Sequence, residues 1–250
     1  MYQYTLDTAF DISSKNAGSE EKLALNPAGD PISNQTDDIT FNNDGTKLFA
    51  ISDNGAMNIH ILSTPYDISD ATLVADDGIN WRTYKEPWGS SNTTMLPQTI
   101  RFNNDGTKMY LTEAVINTTD PQESVGVVQY NLATPFVPSS TTTVQVLNLR
   151  AQFPKTNIAI HAMNFDDDGT RMYVSAGNFN VLTDHPHAVY ELSMPFEISS
   201  AKHVGTFNFV NASGGGVKAV GGVFSDDGNK YYMTTGNGDS VVEFTLTCPF

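Results

Sequence analysis

The chain has 250 residues, of which 13 are Lys or Arg and 28 are Asp or Glu, so it carries a net charge of −15 and has an isoelectric point near 4.4. A surface this acidic has no basic patch to neutralise phosphates, which argues against nucleic acid as a partner, and no run of 18 apolar residues is present to insert in a membrane as a helix. Cys248 is the lone cysteine, which excludes an internal disulfide and a Cys-based zinc site within one chain.

In chain order, Tyr2 to Leu6 reads as a strand, followed by a turn phrase through Phe10 and Ser13, and Glu21 to Leu25 reads as a second strand. A short apolar run, Asp38 to Phe41, then leads into Phe41-Asn-Asn-Asp-Gly-Thr-Lys47. That phrase returns letter for letter at Phe102 to Lys108, as Phe165-Asp-Asp-Asp-Gly-Thr-Arg171 and as Phe224-Ser-Asp-Asp-Gly-Asn-Lys230. Its glycines, at 45, 106, 169 and 228, lie 61, 63 and 59 residues apart. A repeat of this length is too long for a helical-hairpin array and fits one blade of a β-propeller.

Each Asp-Gly turn joins two strands. The first ends in the Phe (38–41, 99–102, 162–165, 221–224), and the second begins at Lys47, Lys108, Arg171 and Lys230. Alternating apolar and polar residues on both sides of a glycine that accepts positive φ predict a hairpin. A third strand, such as Val127 to Leu132, Ala188 to Leu192 or Val241 to Leu246, runs into a second fixed phrase: Ser63-Thr-Pro-Tyr-Asp-Ile-Ser69, Ala133-Thr-Pro-Phe-Val-Pro-Ser139 or Ser193-Met-Pro-Phe-Glu-Ile-Ser199. Proline ends the ladder there and the aromatic after it covers the blade edge. A fourth strand follows at 71–75, 142–149 and 202–210. We call the four strands A to D.

The fold expected is all-β: a propeller of four blades, each of four antiparallel strands, or alternatively part of a larger ring. It forms one domain over 1–250, with repeats at about 34–90, 91–155, 156–215 and 216–250 and blade-closing strands within 1–26. Strand C occurs five times against four Asp-Gly turns, and the last repeat ends after its strand C. The N-terminal strand D is therefore expected to complete the last blade and remove an open edge. The spare strand, with Tyr2, Tyr4 and Leu6, would add a fifth strand to that blade or pair with another chain in a homo-oligomer or larger assembly.

The phrases Phe-x-x-Asp-Gly-Thr-Lys-Met-Tyr and Thr-Pro-Phe together resemble the Asp-Gly-Thr-Lys propeller repeats of marine bacteria and their phages, over essentially the whole chain. More distantly the chain is similar to propellers with a YVTN signature, which include lactonase-type enzymes and surface-layer proteins. The resemblance implies a fold and leaves function open.

Propeller geometry puts A–B and C–D turns on one face and B–C and D–A loops on the other. The second set is long and differs in every repeat: 77–97, 113–126, 150–157, 177–187 and 211–217. Irregular loops on a rigid frame are where binding resides. The first carries Trp81, Tyr84 and Trp88, whose rings suit the C–H faces of sugars or a protein partner's anchor residues. Packing of these rings under their own loop is the competing reading.

A second candidate set stands four residues before each turn Phe: Asp37, Gln98, His161 and Val220, expected at the channel mouth. Asp37, Gln98 and His161 there are candidates to bind a ligand, and His161 with His185 and His187, in the loop of the same blade, is the alternative metal set; Ca2+, bound by Asp and backbone oxygens, is the cation considered, and no cofactor is otherwise called for. The Asp before each turn glycine is read as a turn former, not a calcium ligand.

No nucleophile elbow, phosphate loop or His-Glu-x-x-His helix occurs in the sequence. The function expected is a non-catalytic structural or adhesive propeller that binds protein or glycan through its long loops, as a virion or cell-surface component. That places it outside the cell or on a virion, although residues 1–7 carry no secretory-leader pattern. The alternative is a metal-dependent, lactonase-like hydrolase with its site at the channel mouth.

Overall fold

The computed structural model describes residues 1–25, 36–52, 54–76, 79–81, 95–115, 126–153, 158–178, 186–208, 219–225, 227–235 and 240–247. Four antiparallel sheets stand around a ring as a four-bladed β-propeller. Blade 1 holds β3 (Asp38–Phe41), β4 (Lys47–Ile51), β5 (Met57–Ile61) and β6 (Thr72–Asp76). Blade 2 holds β7 (Met95–Phe102), β8 (Lys108–Val115), β9 (Gly126–Leu132) and β10 (Thr141–Asn148). Blade 3 holds β11 (Ile158–Phe165), β12 (Arg171–Asn178), β13 (Pro186–Leu192) and β14 (Ala201–Asn208), and blade 4 holds β15 (Ala219–Phe224), β16 (Lys230–Thr235) and β17 (Ser240–Thr245). The expected order A-B-C-D recurs in the first three sheets.

The two fixed phrases fold against each other. In the A–B turns Gly45, Gly106, Gly169 and Gly228 have φ of 70°, 71°, 71° and 67°, and each donates its N–H to the residue after the turn Phe. Tyr66, Phe136 and Phe196 of the C–D phrases also have positive φ, 62°, 54° and 57°, a conformation costing a bulky residue about 1–3 kcal/mol. The cost is offset because each donates its N–H to the turn glycine's carbonyl at 2.9 Å and lays its ring on that glycine. A Cβ at Gly45, Gly106 or Gly169 would overlap the ring, so glycine is required twice over, by φ and by close approach.

Between blades, aromatic rings form a relay. Phe49 on β4 packs on Phe102 of the next blade (4.6 Å between centroids), and Phe102 packs on Phe136 (5.3 Å). One blade on, Tyr110 packs on Phe165 (4.7 Å) and Phe165 on Phe196 (5.3 Å), and then Tyr173 packs on Phe224 (5.0 Å). The core therefore lies between sheets: one cluster spans blades 1 and 2 through Phe49, Ile51, Ile100 and Val128, another blades 2 and 3 through Tyr110, Val127, Ile160 and Val174.

Two expectations are corrected. First, Met95–Pro97, Glu113–Val115, Gly177–Asn178 and Pro186–His187, assigned to loops by sequence, extend the strands. Bulges explain this: pairing skips Gln98, His161 and Val220, so each ladder resumes beyond an inserted residue. Second, the N-terminal strand does not complete the last blade. β2 (Glu21–Lys22) pairs with β1 (Tyr2–Gln3), and blade 4 has three strands among the described residues.

The N-terminal segment instead forms a separate C–D unit seated between blade 4 and blade 1. Phe10 has φ 58°, as in the other C–D phrases, and Asp11 caps its 3-10 turn through Ser13 N–H, as Asp67 does through Ser69. Lys230 Nζ (2.9 Å) and the Tyr232 hydroxyl donate to the Phe10 carbonyl, repeating the donation of Lys108 (3.2 Å) and Tyr110 (2.5 Å) to Phe196. On its other side Gln3 accepts from Ile68 N–H (2.9 Å) and donates to the Tyr66 carbonyl (2.6 Å), as Gln129 accepts from Ile198 N–H (3.0 Å). Met1, Leu23 and Leu25 pack with Leu48, Ala50 and Leu62 of blade 1. Side-chain latches, not a shared ladder, close the ring here.

Candidate functional site

A cavity of about 1230 Å³ lies among the inner strands and the N-terminal unit. Its walls include Asp37, Asp38, Ile39, Phe41 and Arg101 of blades 1 and 2, Asn164 to Asp167 of blade 3, Gly221 to Val223 and Tyr232 of blade 4, and Leu23 to Leu25. Two charges on the wall pair with each other. Arg101 meets Asp38 at 2.5 Å, and Asp38 also accepts from Ile100 N–H at 2.9 Å, which ties blade 1 to blade 2. Burial pushes the Asp38 carboxyl up despite the opposing guanidinium. A second such tie joins blades 2 and 3. Burial raises Glu197, but Lys108 at 3.0 Å and Gln129 overcome it and hold the carboxyl below its ordinary value.

Of the candidate residues four before each turn Phe, Asp37 is on the cavity wall, whereas Gln98 and His161 are not among the residues that line it. Asp37 lines the cavity and donates its N–H to Ile51. Gln98 is half-buried and turns its amide to its neighbour Pro97, and His161 is buried in β11. Gln98 and His161 are the inserted residues of their bulges, whereas Asp37 precedes a ladder without a register shift. Among the described residues no three His, Cys, Asp or Glu side chains are grouped to hold a metal. His187 is buried between blades 3 and 4, stacked on Phe207 (5.2 Å) and edge-on to Tyr231 (5.8 Å); His185 lies outside the described residues.

Trp81 is fully buried. Its N–H donates to Gly55 and its ring stands edge-on to Tyr130 at 5.2 Å in the core between blades 1 and 2, leaving no ring face for a ligand. Tyr84 and Trp88 lie outside the described residues. At the N-terminus Tyr2 is exposed beneath Lys22, Tyr4 donates to Glu20 under Lys15, and Leu6 bridges to Lys15.

The Asp-Gly turns spend their carboxylates locally. Asp44, Asp105, Asp168 and Asp227 each accept the N–H two residues on, at 2.9–3.0 Å. Hydrogen bonds from Thr46, Thr107, Thr170 and, for Asp227, Ser225 and Asn229 lower all four, Asp227 to about 2. Side-chain amides then link successive turns: Asn43 donates to the Asn104 carbonyl, and Asn104 to the Asp167 carbonyl at 2.6 Å. These links between blades were not read from the sequence, although Asn43 and Asn104 stand at the same place in the letter-for-letter repeat.

No protein-family model and no curated protein matches the chain. Its structure is similar to a putative 6-phosphogluconolactonase from Bacteroides uniformis ATCC 8492 (14% identity, TM-score 0.47, covering 85% of this chain and 51% of that one). It is also similar to the β-propeller domain of Cps50 (Swd1) from Myceliophteria thermophila (10% identity, TM-score 0.44, covering 85% and 54%). The chain spans about half the length of these structures. Among the described residues no helix is long and apolar enough to cross a membrane.

Proposed function

We propose that the chain is a structural or adhesive propeller of the Asp-Gly-Thr-Lys repeat type, binding a protein or glycan partner through its divergent loops as a component of a virion or cell surface. The observation that carries this reading is the anchoring of Trp81. Buried on Tyr130 and hydrogen-bonded through its backbone to Gly55, it holds the chain to the frame a few residues before Tyr84 and Trp88 in the sequence. Trp81 is a loop anchor in this reading, and Trp88 the contact residue. A glycan array, followed by tryptophan-fluorescence titration of the chain and of Trp88→Ala, tests it. Saturable binding lost in the variant is expected, whereas no glycan bound and no partner recovered with the native particle would overturn it.

One observation favours a second reading, a metal-dependent, lactonase-like hydrolase. Gln98 and His161 sit on matching inner-strand bulges, and Asp37 at the corresponding position faces the cavity. Metal analysis of the purified chain with Asp37→Ala and His161→Ala decides: stoichiometric metal lost in both variants would displace the adhesive reading.

A further inference from the structure

We propose that the seam between blade 4 and the N-terminal unit is a docking slot for one further A–B hairpin bearing the Phe-x-x-Asp-Gly-Thr phrase of this chain's own repeat. Four features on the walls are each set for one element of that hairpin.

The first is Phe10. In the three complete blades, the aromatic at this position adopts positive φ, donates its N–H to a turn glycine and lays its ring on that glycine. Phe10 holds the same conformation at φ 58°, yet its N–H has no acceptor among the described residues and its ring is 43% exposed. The second is Leu6. Its counterparts Leu62, Leu132 and Leu192 donate their N–H to the Thr after the turn glycine at 2.7–2.8 Å, and the N–H of Leu6 has no such acceptor among the described residues. An Asp-Gly-Thr turn would satisfy both donors at once.

The third is Tyr232. Its counterparts Phe49, Tyr110 and Tyr173 each pack on the turn Phe of the next blade. Tyr232 already donates its hydroxyl to Phe10, as Tyr110 does to Phe196, but its ring faces the cavity. A turn Phe inserted between Tyr232 and Phe10 would complete the relay. The fourth is the edge of β1. Strands C of blades 1 to 3 pair with strand B on one side and strand D on the other, whereas among the described residues β1 pairs with β2 alone. The slot walls add Val223, 52% exposed, and Val241, 49% exposed, on the uncovered face of blade 4.

This assignment is independent of the loop reading above, because it uses the turn face and the inner seam. The occupant is specified by sequence: a Phe, then Asp-Gly-Thr three to five residues later, between two strands. A second copy of this chain is a poor donor, since the hairpins described in it are already paired within their own blades.

The test is a labelled peptide of residues 99–112, the A–B hairpin of blade 2, titrated against the full chain by fluorescence anisotropy. Isolated hairpins are marginal in water, so the same 14 residues are also joined to the chain terminus by a flexible Gly/Ser linker, which raises their effective concentration to about mM. Binding in trans, or a higher melting temperature of the fusion, is expected. Both effects are to fall at least tenfold, or vanish, with Gly106→Ala in the hairpin copy, whose Cβ would strike Phe10, and with Phe10→Ala in the receptor. If neither format shows an effect with the receptor folded by circular dichroism, or if the Gly106→Ala hairpin performs equally, the slot does not recognise this hairpin. A dimer in light scattering that the hairpin leaves intact would assign the seam to a second copy and overturn the proposal as well.

Discussion

Gly106→Ala tests the lock between the two repeated phrases. An Ala at φ 71° pays about 1–2 kcal/mol for the left-handed conformation alone. The new Cβ also overlaps the Phe136 ring, which must leave the glycine and loosen its packing on Phe102, costing a further ~1 kcal/mol. A loss of about 2–3 kcal/mol is therefore expected, read from urea unfolding followed by far-UV circular dichroism. Two companions separate the causes. Gly106→Asn tolerates the backbone conformation but keeps a Cβ, so it should still lose ~1 kcal/mol. In a Phe136→Ala background the ring is gone, and Gly106→Ala should cost only the backbone part, a coupling of about 1 kcal/mol. Additivity of the two substitutions within ~0.5 kcal/mol, or a near-silent Gly106→Ala, would refute the claim that ring approach, and not φ alone, demands glycine.

Tyr110→Phe removes the hydroxyl that reaches the Phe196 carbonyl at 2.5 Å and should destabilise the chain by ~1 kcal/mol in the same urea assay. Trp81→Ala empties a fully buried site and should cost about 3–5 kcal/mol, with loss of a blue-shifted component of the tryptophan emission. The lowered carboxyls of Asp44, Asp105, Asp168, Asp227 and Glu197 contribute stability that is present above about pH 4 and lost as pH falls through their folded values, to about 2 for Asp227. Acid unfolding should therefore steepen over that window, and Asp227→Asn should flatten it. Asp166 has the opposite sign: burial, with Asp168 adding to it, raises its carboxyl, so its contribution is lost as pH rises through the folded value. Asn42 and Asn103 occupy the same place in other turns and accept the same backbone N–H, so Asp166→Asn should raise the unfolding free energy at neutral pH, read from urea unfolding, by about 0.5 kcal/mol.

The blades were legible because their signals are local. Asp-Gly between alternating strands fixes a hairpin whatever surrounds it, and the four turn glycines adopt the φ that the phrase predicts. The bulges at Gln98, His161 and Val220 were not legible, because an inserted residue carries no propensity signal and shows only in the pairing of the neighbouring strand. A fixed count back from Phe therefore lands on a bulge in blades 2, 3 and 4 but on the regular approach to β3 in blade 1, at Asp37. Trp81 was legible as an aromatic in a long connection. Its burial depends on Tyr130 of the next blade, and no window around residue 81 contains that contact.

The ring closure shows the same division. That Tyr2 to Leu25 is a C–D unit followed from its own residues, and its caps repeat those of the other blades. Its partner did not follow, because two ways of closing the ring differ only in which edge the unit meets. The structure selects latches over a ladder: Lys230 and Tyr232 hold Phe10 on one side, and Gln3 holds Ile68 and Tyr66 on the other. In a repeat protein, where each unit is stabilised chiefly by its neighbours, such a seam is the weakest joint. Blade 4 has the smallest core cluster, Tyr231 and Met233 with Phe224, Phe244 and Leu246, and its uncovered face meets the cavity. Stability and recognition thus meet at one place: the relay of rings that makes the other blades rigid stops at Tyr232, and whatever segment extends it gains the contacts the seam lacks.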